Sequence, residues 1–297
     1  MSYVRKWQKV VTMAMMVLGL GTLGGCMDQG RQVAQGQGQQ TSQSGQSAFS
    51  SSQKSSNHWF GGGYNFEENG APISIELVKT TLTPSVKKQL GDGKMVYQHG
   101  AVIINDNKTN LNTNVSSAPY VQEAHANPAH HNRVEGTARA WLNQSCRQYR
   151  SREDTGNGAS SWKPVGFHQV THLKGNYNHL YDRGHLIAYA IAGNVKGFDA
   201  SEHNPNNVAT QTAWSNEAYG GQGYGQNEFE GQVRQALDSG DTVMYTVTPI
   251  YNSTKDVVPM GNHLEAKDTE GRLEFNVFVP NIQAPFTIDY TTGFAHR

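Results

Sequence analysis

Asp182-Arg183-Gly184-His185 is followed, 22 residues after its histidine, by Asn207-Val208-Ala209-Thr210-Gln211, and at 31 residues by Asn216 within Trp214-Ser215-Asn216; Glu230 lies further on. Arg183 and His185 are two apart, so on an extended strand both side chains leave the same face. A neutral imidazole titrates near pH 6.5 and is the natural base at neutral pH. A guanidinium grips a phosphate oxygen pair, and Gly184 has no side chain to hold a backbone away. Asn216 offers an oxygen without charge. That suits Mg²⁺, which prefers oxygen ligands and keeps several waters, and not zinc, which favours thiolate, imidazole and carboxylate. A base, a cation for the phosphorane oxygens and a metal ligand are what in-line attack on a phosphodiester needs. One asparagine holds Mg²⁺ weakly, so tight binding is expected only with substrate phosphate present.

Glu230 falls in 226–237, where Phe229, Val233 and Leu237 recur at i, i+4 and i+8. This predicts an amphipathic helix with Glu230 off the buried stripe and paired to Arg234 at i,i+4. Taken singly, each of these residues has a plainer reading: a structural histidine, a turn asparagine, a surface ion pair. Asn207 and Gln211 either orient the site or satisfy loop backbone.

The ordered set resembles the DNA/RNA non-specific endonucleases of the ββα-metal (His-Me finger) class, in particular the streptococcal-type DNA-entry nucleases. The likeness is best over 133–293 and includes Arg147-Gln148-Tyr149-Arg150, Thr155-Gly156-Asn157-Gly158, Gln211-Thr212-Ala213-Trp214 and Leu264-Glu265-Ala266-Lys267. It implies a β-hairpin bearing the histidine, packed on a helix bearing the metal-binding asparagine. It also implies one Mg²⁺ ion (with Mn²⁺ as a substitute) on Asn216, and His185 as general base. Arg183 then stabilises the phosphorane charge, and Asn207, Gln211 and Glu230 act as supporting groups around the metal waters. The implied substrates are DNA and RNA, cut to 5′-phosphate ends with little sequence preference, and DNA uptake in transformation, nutrient scavenging and degradation of host DNA fit the sequence equally well. Two other classes stay open on the residues alone. One is a surface lipoprotein that binds nucleic acid without cutting it. The other is a zinc hydrolase built on His168 and His172, whose H-x3-H spacing would chelate if helical.

The chain opens with Arg5, Lys6 and Lys9, then an apolar run over 10–23 ending in Leu23-Gly24-Gly25-Cys26. The run is short for a membrane span and right for a signal peptide. The cysteine falls where a bacterial lipoprotein box needs it, so 1–25 is expected to be a leader and Cys26 a lipid anchor on the outer face of the membrane, with free secretion as the competing outcome. Residues 27–57 are mostly Gln, Ser and Gly and read as a flexible tether. The remainder, 58–297, is long enough for one domain, of which 58–132 is the part least covered by the resemblance. With Cys26 lipidated, Cys146 has no disulfide partner and reads as a core residue.

Net charge is +0, yet between 133 and 183 the chain carries Arg133, Arg139, Arg147, Arg150, Arg152, Lys163, Lys174 and Arg183 against four acids. A local basic surface binds phosphate without a high overall pI, and Arg147, Arg150 and Arg152 are candidate phosphate contacts. Patterning predicts strands at 73–79, 95–104, 242–251 and 272–279, helices at 137–149 and 226–237, and a loop followed by a helix over 208–219. The sum is α+β: a mostly antiparallel sheet flanked by helices.

Overall fold

The computed structural model describes residues 72–158 and 160–297. The expected leader, the Cys26 anchor, the tether and residues up to 71 lie outside the described residues.

Two short helices come first, α1 (Ile75–Thr81) and α2 (Pro84–Leu90). Ser74 caps α1 by accepting from the Leu77 amide at 3.2 Å, and Thr83 caps α2 with Pro84 in its first turn. The expected strand at 73–79 is therefore a helix. Ile73, Ile75 and Leu77 alternate on paper, but a capped turn with only Val78 and Thr81 buried decides the outcome. The single strand expected at 95–104 is instead a hairpin of β1 (Met95–Gln98) and β2 (Ala101–Ile104). His99 and Gly100 both take positive φ in its two-residue turn, as a hairpin of this length demands.

The rest of the chain supplies β3 (Tyr120–Gln122), β4 (His125–Asn127), β5 (Arg133–Glu135), β6 (Ala138–Leu142), β7 (Tyr181–His185), helix α3 (Tyr189–Ala192), β8 (Val208–Thr212), helices α4 (Ala213–Glu217) and α5 (Gln226–Asp238), then β9 (Val243–Ile250), β10 (Gly261–Asp268) and β11 (Glu274–Pro280). Seven strands make one antiparallel sheet in the order β1-β2-β11-β10-β9-β6-β3. The α+β reading is borne out.

The helix expected at 137–149 is replaced by β6 and a short 3-10 turn. Ala138, Ala140 and Leu142 are fully buried, and β6 pairs with β9 from Ala138↔Val247 to Leu142↔Val243. Helix-forming residues yield here to a place in the sheet. Cys146 is buried all the same, and burial pushes its thiol up, as suits a packing residue. The sheet is covered on both faces. Ala101, Ile103, Tyr245 and Val277 pack with Phe229, Val233 and Leu237 of α5, while Val102, Ile104 and Phe278 pack with Val78, Val86 and Trp214. Trp214 is fully buried, and truncating such a side chain costs roughly 3–5 kcal/mol.

Candidate active site

Strands β7 and β8 form their own antiparallel pair, Tyr181↔Thr212 through His185↔Val208, and β8 runs straight into α4. The segment expected as a loop before that helix is thus the second strand of a hairpin. Thr212 caps α4 with its hydroxyl on the Ser215 amide, while Asn281 and Gln283 hold the Thr212 and Trp214 amides at 2.7 and 2.9 Å. The junction between hairpin and helix is fixed to the end of the main sheet. Arg152, Lys163, Asp182, Arg183, His185 and Asn216 all line one open cleft of about 660 Å³.

His185 is 8% exposed and pushed down to about 4, first by burial and then by the Arg152 charge. It is neutral at physiological pH. Nε2 lies 3.2 Å from the Ser201 carbonyl, which only accepts, so Nε2 donates and the other ring nitrogen keeps its lone pair. Arg152 stacks its guanidinium 4.5 Å from the Tyr189 ring centre and donates to the Ala200 carbonyl at 2.8 Å. Arg183 lines the cleft but is anchored, with Nε on Trp162 O at 2.7 Å, Nη2 on Ser160 O at 2.6 Å and Glu202 at 3.8 Å from Nη1. Of the three arginines singled out beyond the tetrapeptide, only Arg152 reaches this cleft. Arg147 is buried in a two-pronged pair with Asp238 and also donates to Ala190 O. Arg150 donates to Asp154 O, away from the cleft lining.

Asn216 donates from Nδ2 to Asp182 Oδ2 at 3.0 Å, so its amide nitrogen faces the carboxylate. The other Asp182 oxygen meets His179 Nε2 at 2.6 Å. His179, Asp182 and Glu217 are the one group of three metal-ligating types found among the described residues, with ligand atoms within 4.8 Å of one another. Burial and the Asp182 charge push Glu217 up to about 7. His168 and His172 are not part of this group. His168 stacks on Phe294 at 3.8 Å, and the His172 ring lies against Thr171.

Behind the hairpin lies a buried polar layer. Asn207 is wholly enclosed, with both ends of its amide on the Ile187 backbone, at 2.9 and 3.0 Å. Gln211 donates to Ser215 Oγ at 3.0 Å, and its side chain fills the space beside Gly184, so the missing side chain of Gly184 makes room for Gln211 and not for a ligand backbone. Helix α5 matches its expected range, but Glu230 does not lie off the buried stripe. It is 7% exposed, accepts from Gln226 Nε2 at 2.8 Å, and burial pushes it up to about 7. Arg234 donates to Asn227 instead of pairing with Glu230. Sequence reasoning assigned no role to His179, Asp182, Glu217 or Gln226. Asp182 belongs to the opening tetrapeptide and Glu217 adjoins Asn216, so their positions were a usable signal; Gln226 gave none.

An antiparallel hairpin with an imidazole on its first strand, running into a helix that carries Asn216, is the ββα-metal finger. A family model described as DNA/RNA non-specific endonuclease matches residues 98–285, and the chain belongs to that family. Two solved structures of NucA from Streptococcus agalactiae are similar to it. The one with magnesium bound is 44% identical over 76% of this chain and 98% of its own, with a TM-score of 0.68. The one with no metal bound is 43% identical over 75% and 97%, with a TM-score of 0.65. The protein is a nuclease that hydrolyses phosphodiester bonds without sequence preference.

Proposed function

We propose that the chain is an exported, Mg²⁺-dependent endonuclease held at the cell surface, with His185 as general base and Asn216 as the one direct protein ligand of the ion. The observation that carries this reading is the finger itself: a neutral imidazole and an amide oxygen, brought from two elements to one cleft lined by both arginines and carboxylates. The donor set fits the ion, since Asn216 presents an oxygen beside the carboxylates of Asp182 and Glu217, and hard Mg²⁺ selects oxygen. The S. agalactiae relative with bound magnesium supports the same choice. When bound, the ion supplies Lewis-acid charge to the phosphoryl oxygens.

The chain's own residues supply the rest. The free ring nitrogen of His185 takes the proton of the attacking water. Arg152 and Arg183, which line the same cleft, present positive charge to the phosphate. Asn207 fixes the backbone that follows His185. Gln211 and Glu230 act from behind, Glu230 through Gln226. Lipidation of Cys26 would tether the enzyme outside the membrane, and cutting bound duplex there suits DNA uptake as well as scavenging.

The test is conversion of supercoiled plasmid by the full chain and by His185→Ala, with Mg²⁺ or EDTA. Loss of a general base is expected to lower the rate about 10²–10⁴-fold, and EDTA is expected to stop the wild type. Plasmid shifted on a gel but left uncut by both proteins would establish a binding protein and sink the nuclease mechanism. Cys26→Ser, followed by membrane fractionation, tests the anchor: the variant is expected in the soluble fraction.

A further inference from the structure

We propose that an apolar groove formed by α1, α2 and β1 is a docking site for the chain's own residues 58–71, which lead into α1. The groove encloses about 660 Å³ and shares no lining residue with the cleft of His185. Ile75, Leu82, Met95 and Tyr97 line it, together with Val78 and Val102 of the core. A groove walled by core side chains favours an apolar occupant, since covering that surface removes it from water. Its charge has one predominant sign. Lys79, Lys87 and Lys88 line it against the single acid Asp92. Lys79 lies 3.8 Å from Glu76 across an exposed helical turn, while Lys87 and Lys88 have no acid partner among the described residues. The fitting occupant is therefore both apolar and acidic.

Residues 58–71 have that chemistry. Trp59, Phe60, Tyr64 and Phe66 are followed at once by Glu67 and Glu68, with no lysine or arginine in the stretch. The Gln-, Ser- and Gly-rich run at 27–57 holds Phe49 as its one aromatic residue, so the aromatic side chains are concentrated next to α1. Position agrees with composition. Ile73 is buried, and its carbonyl accepts from the Tyr97 hydroxyl at 2.6 Å. Tyr97 lines the groove, as does Ile75 just beyond, so the chain enters the described fold at the groove's wall. An extended chain covers at most about 3.3–3.6 Å per residue, which gives the stretch from Phe66 to Ile73 a reach of roughly 25 Å. A segment joined this closely meets the groove at an effective concentration on the order of millimolar. That favours it over a second copy of the chain or a free partner.

The inference is independent of the proposed function, and its test reads no catalysis. In the full chain, the amides of 58–71 are expected to exchange hydrogen at least about tenfold more slowly than those of 30–50. Leu82→Asp, which puts a charge into the groove, is expected to abolish the difference. So is Trp59→Ser combined with Phe60→Ser, which strips the segment. Equal exchange in the wild type overturns the proposal, as does protection that survives Leu82→Asp in a protein shown to be folded by circular dichroism. Phe66→p-benzoylphenylalanine, irradiated in a mixture of light and heavy isotope-labelled chains, is expected to attach within 75–102 of its own chain. Attachment to the other chain would make a second copy the occupant; attachment elsewhere, or none, would leave the groove without this segment. Each of these results overturns the proposal. The cross-link leaves the groove unaltered, so it decides the matter should Leu82→Asp fail to fold.

Discussion

Gln226 Nε2 lies 2.7 Å from the main-chain carbonyl oxygen of His185, so the first residue of α5 holds the backbone of the residue proposed as base. The same nitrogen meets Glu230 Oε1 at 2.8 Å, and Gln226 Oε1 accepts from Asn262 at 2.9 Å. Gln226 is 1% exposed, so none of these partners is replaced by water when it is lost. Gln226→Leu is expected to cost roughly 1–3 kcal/mol of stability by stranding buried polar groups. It is also expected to lower kcat by about tenfold or more with KM little changed, because the base is displaced and the phosphate contacts are not. Steady-state kinetics at a temperature where the variant is folded separates the two effects. A rise in KM at constant kcat would show that Gln226 shapes the substrate groove instead.

The low position of His185 sets the acid limb of activity. Burial and Arg152 hold it at about 4 against an ordinary 6.5, so the free enzyme keeps its base unprotonated well below neutrality. The kcat/KM profile, which reports the free enzyme, is expected to fall only as pH approaches that value. Arg152→Gln removes the charge that disfavours imidazolium and is expected to move the limb upward. The shift in pH is the readout, because loss of a phosphate contact lowers the rate at every pH without moving the limb. A limb that stays in place would mean that burial alone sets the base.

Glu230 makes a stability prediction of definite sign. Its carboxyl stands at about 7 in the folded protein against 4.5 when free. Between those values the native state binds more protons than the unfolded chain, so this group's contribution is full below about pH 4.5 and is lost as pH rises through 7. The whole loss is on the order of 3 kcal/mol. His185 acts with the opposite sign between about 4 and 6.5, since its folded form resists protonation. The wild-type curve therefore mixes the two, and the difference between wild type and Glu230→Gln isolates the glutamate. Urea midpoints are expected to favour Glu230→Gln increasingly from pH 5 to about pH 8. A difference constant across that range would mean that Glu230 titrates as a solvated carboxylate.

The chemistry of the site was legible where it depends on spacing in the chain. Asp182 to His185 and Asn207 to Asn216 are the two ends of one finger, and their offsets carry that geometry. Strands β1, β2, β9 and β11 were legible because their alternation or apolar runs match the pleat. Strand β10 also alternates, with Leu264 and Ala266 inward and His263, Glu265 and Lys267 outward, yet its buried face carries polar Asn262 and Asp268 at either end and so shows only two apolar residues in the sequence. Strand β6 was not legible, since Ala138-Arg139-Ala140-Trp141-Leu142 is good helical sequence and only pairing with β9 makes it a strand. The same limit hid the burial of Glu230, and it hid Arg147, whose partner Asp238 is 91 residues away. Local pattern does not encode a partner that far along the chain.

Gly184 provides the last test, because its space is occupied from behind by a single side chain. A Cβ there would run into Gln211, whose Oε1 and Cβ lie inside van der Waals contact and whose Oε1 is buried without a hydrogen-bond partner. Gly184→Ala is expected to destabilise by roughly 1–3 kcal/mol, the usual cost of overpacking. It is also expected to depress activity, since the strand that must shift carries Arg183 and His185 on either side. Were Gly184 needed for a nucleic-acid backbone to come close, shortening Gln211 would not help. If Gln211 is the obstacle, Gly184→Ala combined with Gln211→Ala should recover most of the lost stability and part of the rate, a coupling that a double-mutant cycle measures directly. Additive losses in the double variant would instead place the constraint on the substrate side of the strand.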